Sequence, residues 1–278
     1  MRTYCVTDLW RLVRAHNLLL AAAGVLAGGW IALGTVAVPK LLGFAALSGI
    51  GLGAAGNAAN DVQDVAADRV NAPGRHPLAA ERLRRETAHL VIWLGIMVGI
   101  GAAALVSGRQ VLMALLALAV MLGYSPLLKR RGAPGNVAVA VVGGLPLFYG
   151  ALAVGRPAAG VVPWVLAGWL HLARELVKDL EDEAGDRAAG RQTLPVRFGL
   201  IGATRVAVWV SAAFLPLAVI LPLVAGYGAM YFGAAGAALV TLLVAVRALQ
   251  QRRFVTASGL LKVAMVFGLG ALVLGRVV

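Results

Sequence analysis

Hydrophobic residues form nine long runs along this chain, and each run is separated from the next by a short polar segment. The runs lie at 12–34, 41–60, 88–107, 110–127, 135–154, 160–178, 201–223, 226–246 and 257–275. A helix needs about 20 apolar residues to cross the hydrocarbon core of a bilayer. The pattern therefore predicts an all-α integral membrane protein, with nine transmembrane helices in one membrane-embedded domain covering residues 1–278.

The composition excludes most soluble folds. Of the 278 residues 60% are hydrophobic and 13% are charged, whereas soluble domains carry about 25% charged residues. The net charge of +13 comes from short basic clusters between the apolar runs, which is typical of membrane topology rather than of nucleic-acid binding. We therefore expect the protein to contact membrane lipids and not to bind nucleic acid. The single cysteine, Cys5, excludes a disulfide framework.

The positions of the basic residues predict the orientation. When the N-terminus is placed in the cytoplasm, 21 of the 25 Lys and Arg residues fall on the cytoplasmic side. The other four are Lys40, Arg109, Arg156 and Arg276. Since cytoplasmic loops are enriched in Lys and Arg, the sequence predicts a multi-pass protein of the cytoplasmic membrane, with its N-terminus inside and its C-terminus outside.

Eleven of the 12 acidic residues lie in two clusters, one after the second apolar run and one at the end of the sixth. Both clusters contain aspartates at positions i, i+3 and i+7, and the second set follows the first by 118 residues. The first set is Asp61, Asp64 and Asp68, and the second is Asp179, Asp182 and Asp186. The matched spacing indicates an internal repeat, with its two copies near 57–77 and 174–195.

Aspartates at this spacing share one face of a helix, where three carboxylates repel one another unless cations lie between them. Hard carboxylate oxygens are ligands that Mg²⁺ prefers. Asn60 adds an amide oxygen one turn before Asp64. We therefore expect the two sets to converge on Mg²⁺ at the cytoplasmic face. Solvated loop acids are the alternative, and the matched spacing of two clusters speaks against it.

Basic residues accompany the acids on the same side of the membrane. Arg75 follows the first cluster, Lys129 lies in the next cytoplasmic loop, and Arg174 and Lys178 precede the second cluster. A combination of carboxylates that hold cations with Arg and Lys side chains is typical of a diphosphate-binding site. A transporter of cations alone would not need so many bases.

The motifs resemble those of the UbiA superfamily of intramembrane prenyltransferases. Asn60-x₃-Asp64-x₃-Asp68 and Asp182-x₃-Asp186 are similar to the two aspartate-rich motifs of that superfamily. Three further segments also resemble it: Arg14-Ala-His-Asn17, Tyr124-Ser-Pro-Leu-Leu-Lys129, and the stretch from Arg174 to Pro195. The segment 71–77 departs from the superfamily pattern, because Ala72 and Gly74 replace the usual Arg and Asp, and His76 is inserted.

The resemblance implies nine helices around a central cavity that opens laterally to lipid. It also implies Mg²⁺-dependent ionisation of a polyprenyl diphosphate and transfer of the prenyl group to a lipophilic acceptor. Its implied metal ligands are Asn60, Asp64, Asp68, Asp182 and Asp186, and we expect Asp61 and Asp179 to be metal ligands as well. Its implied diphosphate-binding residues are Asn17, Arg75, Lys129, Arg174 and Lys178. Tyr124 would face the reacting carbon, and Lys129 and Tyr124 join the four motif aspartates as expected catalytic residues.

The stretch from Arg174 to Pro195 looks most like the branch that makes archaeal ether lipids. That branch uses geranylgeranyl diphosphate to prenylate geranylgeranylglyceryl phosphate. Prenylation of an aromatic quinone precursor, of the 4-hydroxybenzoate or naphthoate type, is the alternative. His171 is either a base on the acceptor side or, as we favour, a buried polar residue.

Two other classes of membrane protein also use intramembrane acids. A cation-coupled transporter would carry its carboxylates near the middle of the membrane on broken helices, whereas these lie where the apolar runs end. A CDP-alcohol phosphotransferase would show one continuous aspartate motif, which this sequence lacks.

Overall fold

The computed structural model describes residues 6–71, 74–123 and 132–277, and their regular structure is entirely α-helical. Eleven helices follow one another along these residues. They are α1 (Val6–Val13), α2 (Ala15–Leu33), α3 (Lys40–Asn71), α4 (Arg85–Ala104), α5 (Gly108–Gly123), α6 (Ala133–Ala153), α7 (Pro157–Glu181), α8 (Glu183–Ala188), α9 (Leu194–Val224), α10 (Ala229–Gln250) and α11 (Phe254–Val277). The all-helical prediction is confirmed.

Seven of the described helices are long and apolar enough to cross a membrane, namely α2, α3, α4, α6, α9, α10 and α11. The other two predicted spans coincide with α5 and α7. The described part of α5 has only 16 residues. The second half of α7 carries His171, Arg174 and Lys178, which lower its hydropathy.

The structure changes the boundaries of several predicted spans. The first run, 12–34, is not one helix, because Arg14 has a left-handed backbone (φ +52°) that separates α1 from α2. The second run is part of a longer helix, since α3 continues to Asn71 and carries the whole first aspartate set. In α9 the non-helical Gly199 (φ +72°) precedes the predicted span 201–223.

Close helix packing depends on glycine. A Cβ atom on Gly150 of α6 would lie 1.8 Å from the carbonyl oxygen of Val25 on α2, and one on Gly28 of α2 would lie 1.9 Å from that of Leu147. Small residues allow backbones to approach in this way where lipid gives helices no hydrophobic reason to associate. The α2–α6 pair is thereby fixed as a tight unit of the bundle.

The buried core lies mainly among the C-terminal helices. The largest apolar cluster joins residues of α2, α6, α7, α9, α10 and α11, and a second cluster joins residues of α2, α3, α4, α5 and α6. The short helix α8 packs against α3 and follows directly after α7. This contact brings the second aspartate set to the first.

Candidate functional site

The first aspartate set lies on a single helix, as the spacing predicts. Asp61 and Asp64 on α3 are 1% and 3% exposed, and Asp68 one turn further on is half-buried. The guanidinium of Arg14 donates from Nη2 to Oδ1 of Asp61 at 2.8 Å. The amide of Asn57 donates to the carbonyl of Val13 at 2.8 Å, so α3 is tied to the junction between α1 and α2.

The second aspartate set is not on one helix, which corrects the expectation of a shared face. Asp179 is on α7, Asp182 lies outside the helices with φ −95° and ψ 6°, and Asp186 is on α8. Acidic side chains are unfavourable at a helix C-terminus and favourable at an N-terminus. The run Glu181-Asp182-Glu183 therefore suits a helix end followed by a new helix start better than one continuous helix.

Asp179 is held by α6. The buried Asn136 donates from Nδ2 to Oδ2 of Asp179 at 2.8 Å. The sequence pattern assigns no role to Asn136. Its contact could not be read from spacing, because 43 residues separate the two side chains.

Arg191 joins the two aspartate sets. Its Nη2 donates to Oδ1 of Asp64 at 2.5 Å, and its Nη1 donates to Oδ1 of Asp186 at 2.9 Å. The side chain of Arg191 is 11% exposed, and those of Asp64 and Asp186 are buried. One guanidinium therefore spans the distance between α3 and α8.

The local backbone explains how Arg191 reaches this position. Gly190 follows α8 with φ +67°, and the amide of Arg191 donates to the carbonyl of Asp186 at 2.9 Å. A glycine with positive φ after a helix reverses the chain and satisfies a terminal carbonyl. In the sequence, Arg191 is only one of the basic residues that indicate the cytoplasmic side. Gly190 is the local signal for this reversal of the chain.

His76 is a second residue for which the sequence assigned no role. Its Nδ1 lies 3.4 Å from Oδ2 of Asp61 and 3.5 Å from Oδ2 of Asp68. His76 and Asp68 are about one fifth exposed, and Asp61 is buried. His76 therefore lies against the first aspartate set.

Basic side chains from three parts of the chain lie near one another. Lys262 on α11 interacts electrostatically with Arg174 and Lys178 on α7 and with Arg75 after α3, and also with the carboxylate of Glu181. Arg174 contacts Glu175 at 3.2 Å, while its buried Nε has no hydrogen-bond partner among the described residues. The described part of this cluster thus combines four cations with the carboxylates of Glu175 and Glu181.

The remaining predicted site residues are dispersed or lie outside the described ranges. Asn60 is half-buried on α3, and Asn17 is exposed on α2. Tyr124 and Lys129 fall outside the described residues. His171 packs against Gly143 of α6, where an added Cβ would lie 2.6 Å from the imidazole Cγ.

The donor chemistry fits Mg²⁺. Carboxylate oxygens from α3 and α8 converge closely enough for one guanidinium to contact both, and Asn60 adds an amide-bearing side chain on α3. Hard oxygen ligands of this kind are those that Mg²⁺ takes together with substrate phosphate oxygens. Cationic side chains next to such carboxylates are equipped to neutralise a diphosphate.

Comparison with known proteins agrees with this chemistry. The profile of the UbiA prenyltransferase family matches residues 21–274. The chain belongs to the UbiA prenyltransferase family. It is thus a prenyltransferase and an integral membrane protein, and the transporter and CDP-alcohol phosphotransferase alternatives are wrong.

Individual members of the UbiA family are similar over most of the chain. A digeranylgeranylglyceryl phosphate synthase of Halobacterium salinarum is 42% identical over 211 residues, which are 74% of this chain and 73% of the relative. The apo structure of a UbiA homologue from Aeropyrum pernix K1 has a TM-score of 0.82 at 20% identity and covers 93% of this chain and 96% of its own. A UbiA homologue from Archaeoglobus fulgidus bound to DMAPP and Mg²⁺ has a TM-score of 0.61 at 17% identity, covering 95% and 99%.

Proposed function

We propose that this prenyltransferase transfers the geranylgeranyl group of geranylgeranyl diphosphate to geranylgeranylglyceryl phosphate in a Mg²⁺-dependent reaction. The allylic carbon–oxygen bond of the donor breaks, an ether bond to the acceptor hydroxyl forms, and diphosphate and the hydroxyl proton leave. The observation that carries the proposal is the junction of the two aspartate sets at Arg191. The 42% identity to a synthase named for the product of this reaction supports the choice of acceptor.

The aspartates hold the metal-binding oxygens in our proposal. Asp64 and Asp68 on α3 and Asp182 and Asp186 around α8 are the main ligands. Asn60, Asp61 and Asp179 assist them at the ends of the two sets. When bound, Mg²⁺ neutralises charge on the diphosphate as the carbon–oxygen bond breaks. Asn136 and Arg14 keep the flanking carboxylates of Asp179 and Asp61 in position.

Cationic side chains bind the phosphate groups. Arg75, Arg174 and Lys178, with Lys129 and Asn17, hold the diphosphate of the donor, since Arg and Lys stabilise the charge that develops on a departing phosphate. Lys262 extends the same cluster to α11. We assign Lys262 to the phosphate of the acceptor, a group that an aromatic quinone precursor lacks. Tyr124 faces the reacting carbon.

The proposed topology has nine spans, with the N-terminus inside and the C-terminus outside. It adds α5 and α7 to the seven apolar helices, because each occupies the position of a predicted apolar run. The excess of Lys and Arg on one side supports a cytoplasmic-membrane protein with its site on the cytoplasmic face. The two aspartate sets are copies within one domain, and the helices surround a central cavity for the prenyl chains.

The deciding experiment is a product analysis. Purified protein is incubated with Mg²⁺, geranylgeranyl diphosphate and either geranylgeranylglyceryl phosphate, 4-hydroxybenzoate or a dihydroxynaphthoate, and products are identified by mass. We expect diphosphate release and an ether-linked product with the glyceryl phosphate only. A product with an aromatic acceptor alone would replace our acceptor with the alternative. Failure of every acceptor, with no release of diphosphate, would overturn the reaction itself.

A further inference from the structure

His76 is placed between two carboxylates of the first aspartate set. Its Nδ1 is 3.4 Å from Oδ2 of Asp61 and 3.5 Å from Oδ2 of Asp68. One ligand atom from each of the three side chains lies within 4.8 Å of the other two. The imidazole nitrogen and the two carboxylate oxygens thus surround a common point.

The separations suit a shared cation better than hydrogen bonds. Hydrogen bonds from nitrogen to oxygen usually have lengths of about 2.7–3.2 Å, and both separations around His76 are longer than that. Neighbouring ligands about 2.1 Å from one small dication, at angles of about 90–110°, are themselves about 3.0–3.4 Å apart. The distances around His76 are close to that geometry.

The two carboxylate oxygens of Asp61 have different partners. Arg14 takes Oδ1 of Asp61, while Oδ2 faces the imidazole. His76 is therefore not needed to neutralise an otherwise unpaired Asp61. The insertion of this histidine also distinguishes the segment from the superfamily pattern that it otherwise resembles.

We propose that His76 is a nitrogen ligand in the metal site formed with Asp61 and Asp68, and that this mixed site favours a transition-metal dication such as Mn²⁺ over Mg²⁺. Imidazole suits first-row transition metals, whereas Mg²⁺ takes oxygen ligands almost exclusively. The inference rests on the proposed function for the presence of a metal at the first aspartate set. It adds the nitrogen and the resulting preference among metals.

Pulsed electron paramagnetic resonance of Mn²⁺ bound to the detergent-purified full chain tests this directly. We expect modulation from a directly coordinated ¹⁴N in the wild type, its loss in His76→Ala, and its retention in His89→Ala, which removes an exposed histidine on α4. Titration of the Mn²⁺ signal should show about 10–100-fold weaker binding in His76→Ala, the range seen when partners of a metal site are removed. The competing affinity for Mg²⁺ should change by less than about threefold.

The possible results separate the two proposals. If Mn²⁺ binds but the wild type shows no ¹⁴N coupling, or if His76→Ala keeps that coupling, His76 is not a ligand and the proposed function stands. If Mn²⁺ does not bind the wild type at all, and Asp68→Asn changes nothing, the metal site of the proposed function fails as well. His76→Gln is the second variant should His76→Ala not fold: it supplies an oxygen, so the coupling should vanish while Mn²⁺ still binds.

Discussion

Arg191 forms an ion pair with Asp64, a residue 127 positions earlier in the chain, at a distance of 2.5 Å. Both side chains are almost fully buried. The same guanidinium contacts Asp186, so one cation joins the two aspartate sets of a UbiA-family prenyltransferase. The site is thus assembled by a side chain that belongs to neither set.

Replacement of Arg191 should destabilise the protein and impair its activity. Arg191→Ala leaves two buried carboxylates facing each other, and loss of one partner of a buried pair costs about 3–5 kcal/mol. We expect a lower unfolding temperature in detergent, and a larger stabilisation by Mg²⁺ than in the wild type because the dication then separates the carboxylates. Thermal denaturation with and without Mg²⁺ measures both effects.

Arg187→Ala is the matched control for Arg191. Arg187 pairs with Glu183 on the surface of α8, and exposed pairs contribute about 1 kcal/mol or less. If both variants unfold at the wild-type temperature and respond equally to Mg²⁺, the bridge does not hold the two sets together.

Neutralising a motif aspartate should lower turnover by about a hundredfold or more in protein that still folds. Asp64→Asn keeps the shape of the side chain but removes a charged oxygen from the proposed metal site. Loss of about 3 kcal/mol of transition-state stabilisation corresponds to a rate lower by about a hundredfold or more. Initial rates with radiolabelled geranylgeranyl diphosphate, at saturating Mg²⁺, give the comparison.

Glu86→Gln removes a carboxylate from the exposed start of α4 and should retain the wild-type rate. Near-normal activity of Asp64→Asn, in protein that elutes as the wild type does, would contradict the metal assignment of the first set.

Lys262 should affect the acceptor more than the donor. Lys262→Ala removes one cation from the cluster with Arg75, Arg174 and Lys178. A hydrogen bond to a charged group contributes about 1.5–3 kcal/mol, so the KM for the glyceryl phosphate should rise by about tenfold or more. Steady-state kinetics with each substrate varied in turn separates the two Michaelis constants.

Lys40→Ala serves as the control for Lys262, because Lys40 begins α3 at the other end from the aspartates and should leave both constants unchanged. If Lys262→Ala raises only the KM for geranylgeranyl diphosphate, this lysine belongs to the diphosphate site instead.

The contact between α2 and α6 should not tolerate a larger residue. In Gly150→Ala the new methyl group would lie 1.8 Å from the carbonyl oxygen of Val25, which forces the helices apart. Overpacking costs about 1–3 kcal/mol or more. We expect a lower unfolding temperature and a smaller yield of monodisperse protein by size-exclusion chromatography.

Gly233→Ala on α10 is the corresponding control, since nothing lies within 4 Å of the added Cβ. Equal stability of the two alanine variants would show that α2 and α6 can separate without cost.

Hydropathy predicted the helices well because lipid leaves a spanning segment few choices of backbone structure. The predicted run 226–246 lies mostly within α10, and 135–154 nearly coincides with α6. The break at Arg14 was not predictable, because it depends on a left-handed backbone at a residue type that rarely adopts one. The break at Asp182 follows from the acidic run Glu181-Asp182-Glu183. The spacing of aspartates on a common helical face does not take account of such a run.

The order and spacing of residues were enough to establish that this is a helical membrane protein with two matched aspartate sets, since both are properties of neighbouring positions in the chain. The tertiary structure decided which side chains meet: Arg191 with Asp64 and Asp186, Arg14 with Asp61, and His76 with the first set. The physical reason is that these contacts depend on how α8 packs against α3 and on where Arg14 and His76 lie relative to α3, and no local periodicity records how separate segments of the chain pack together.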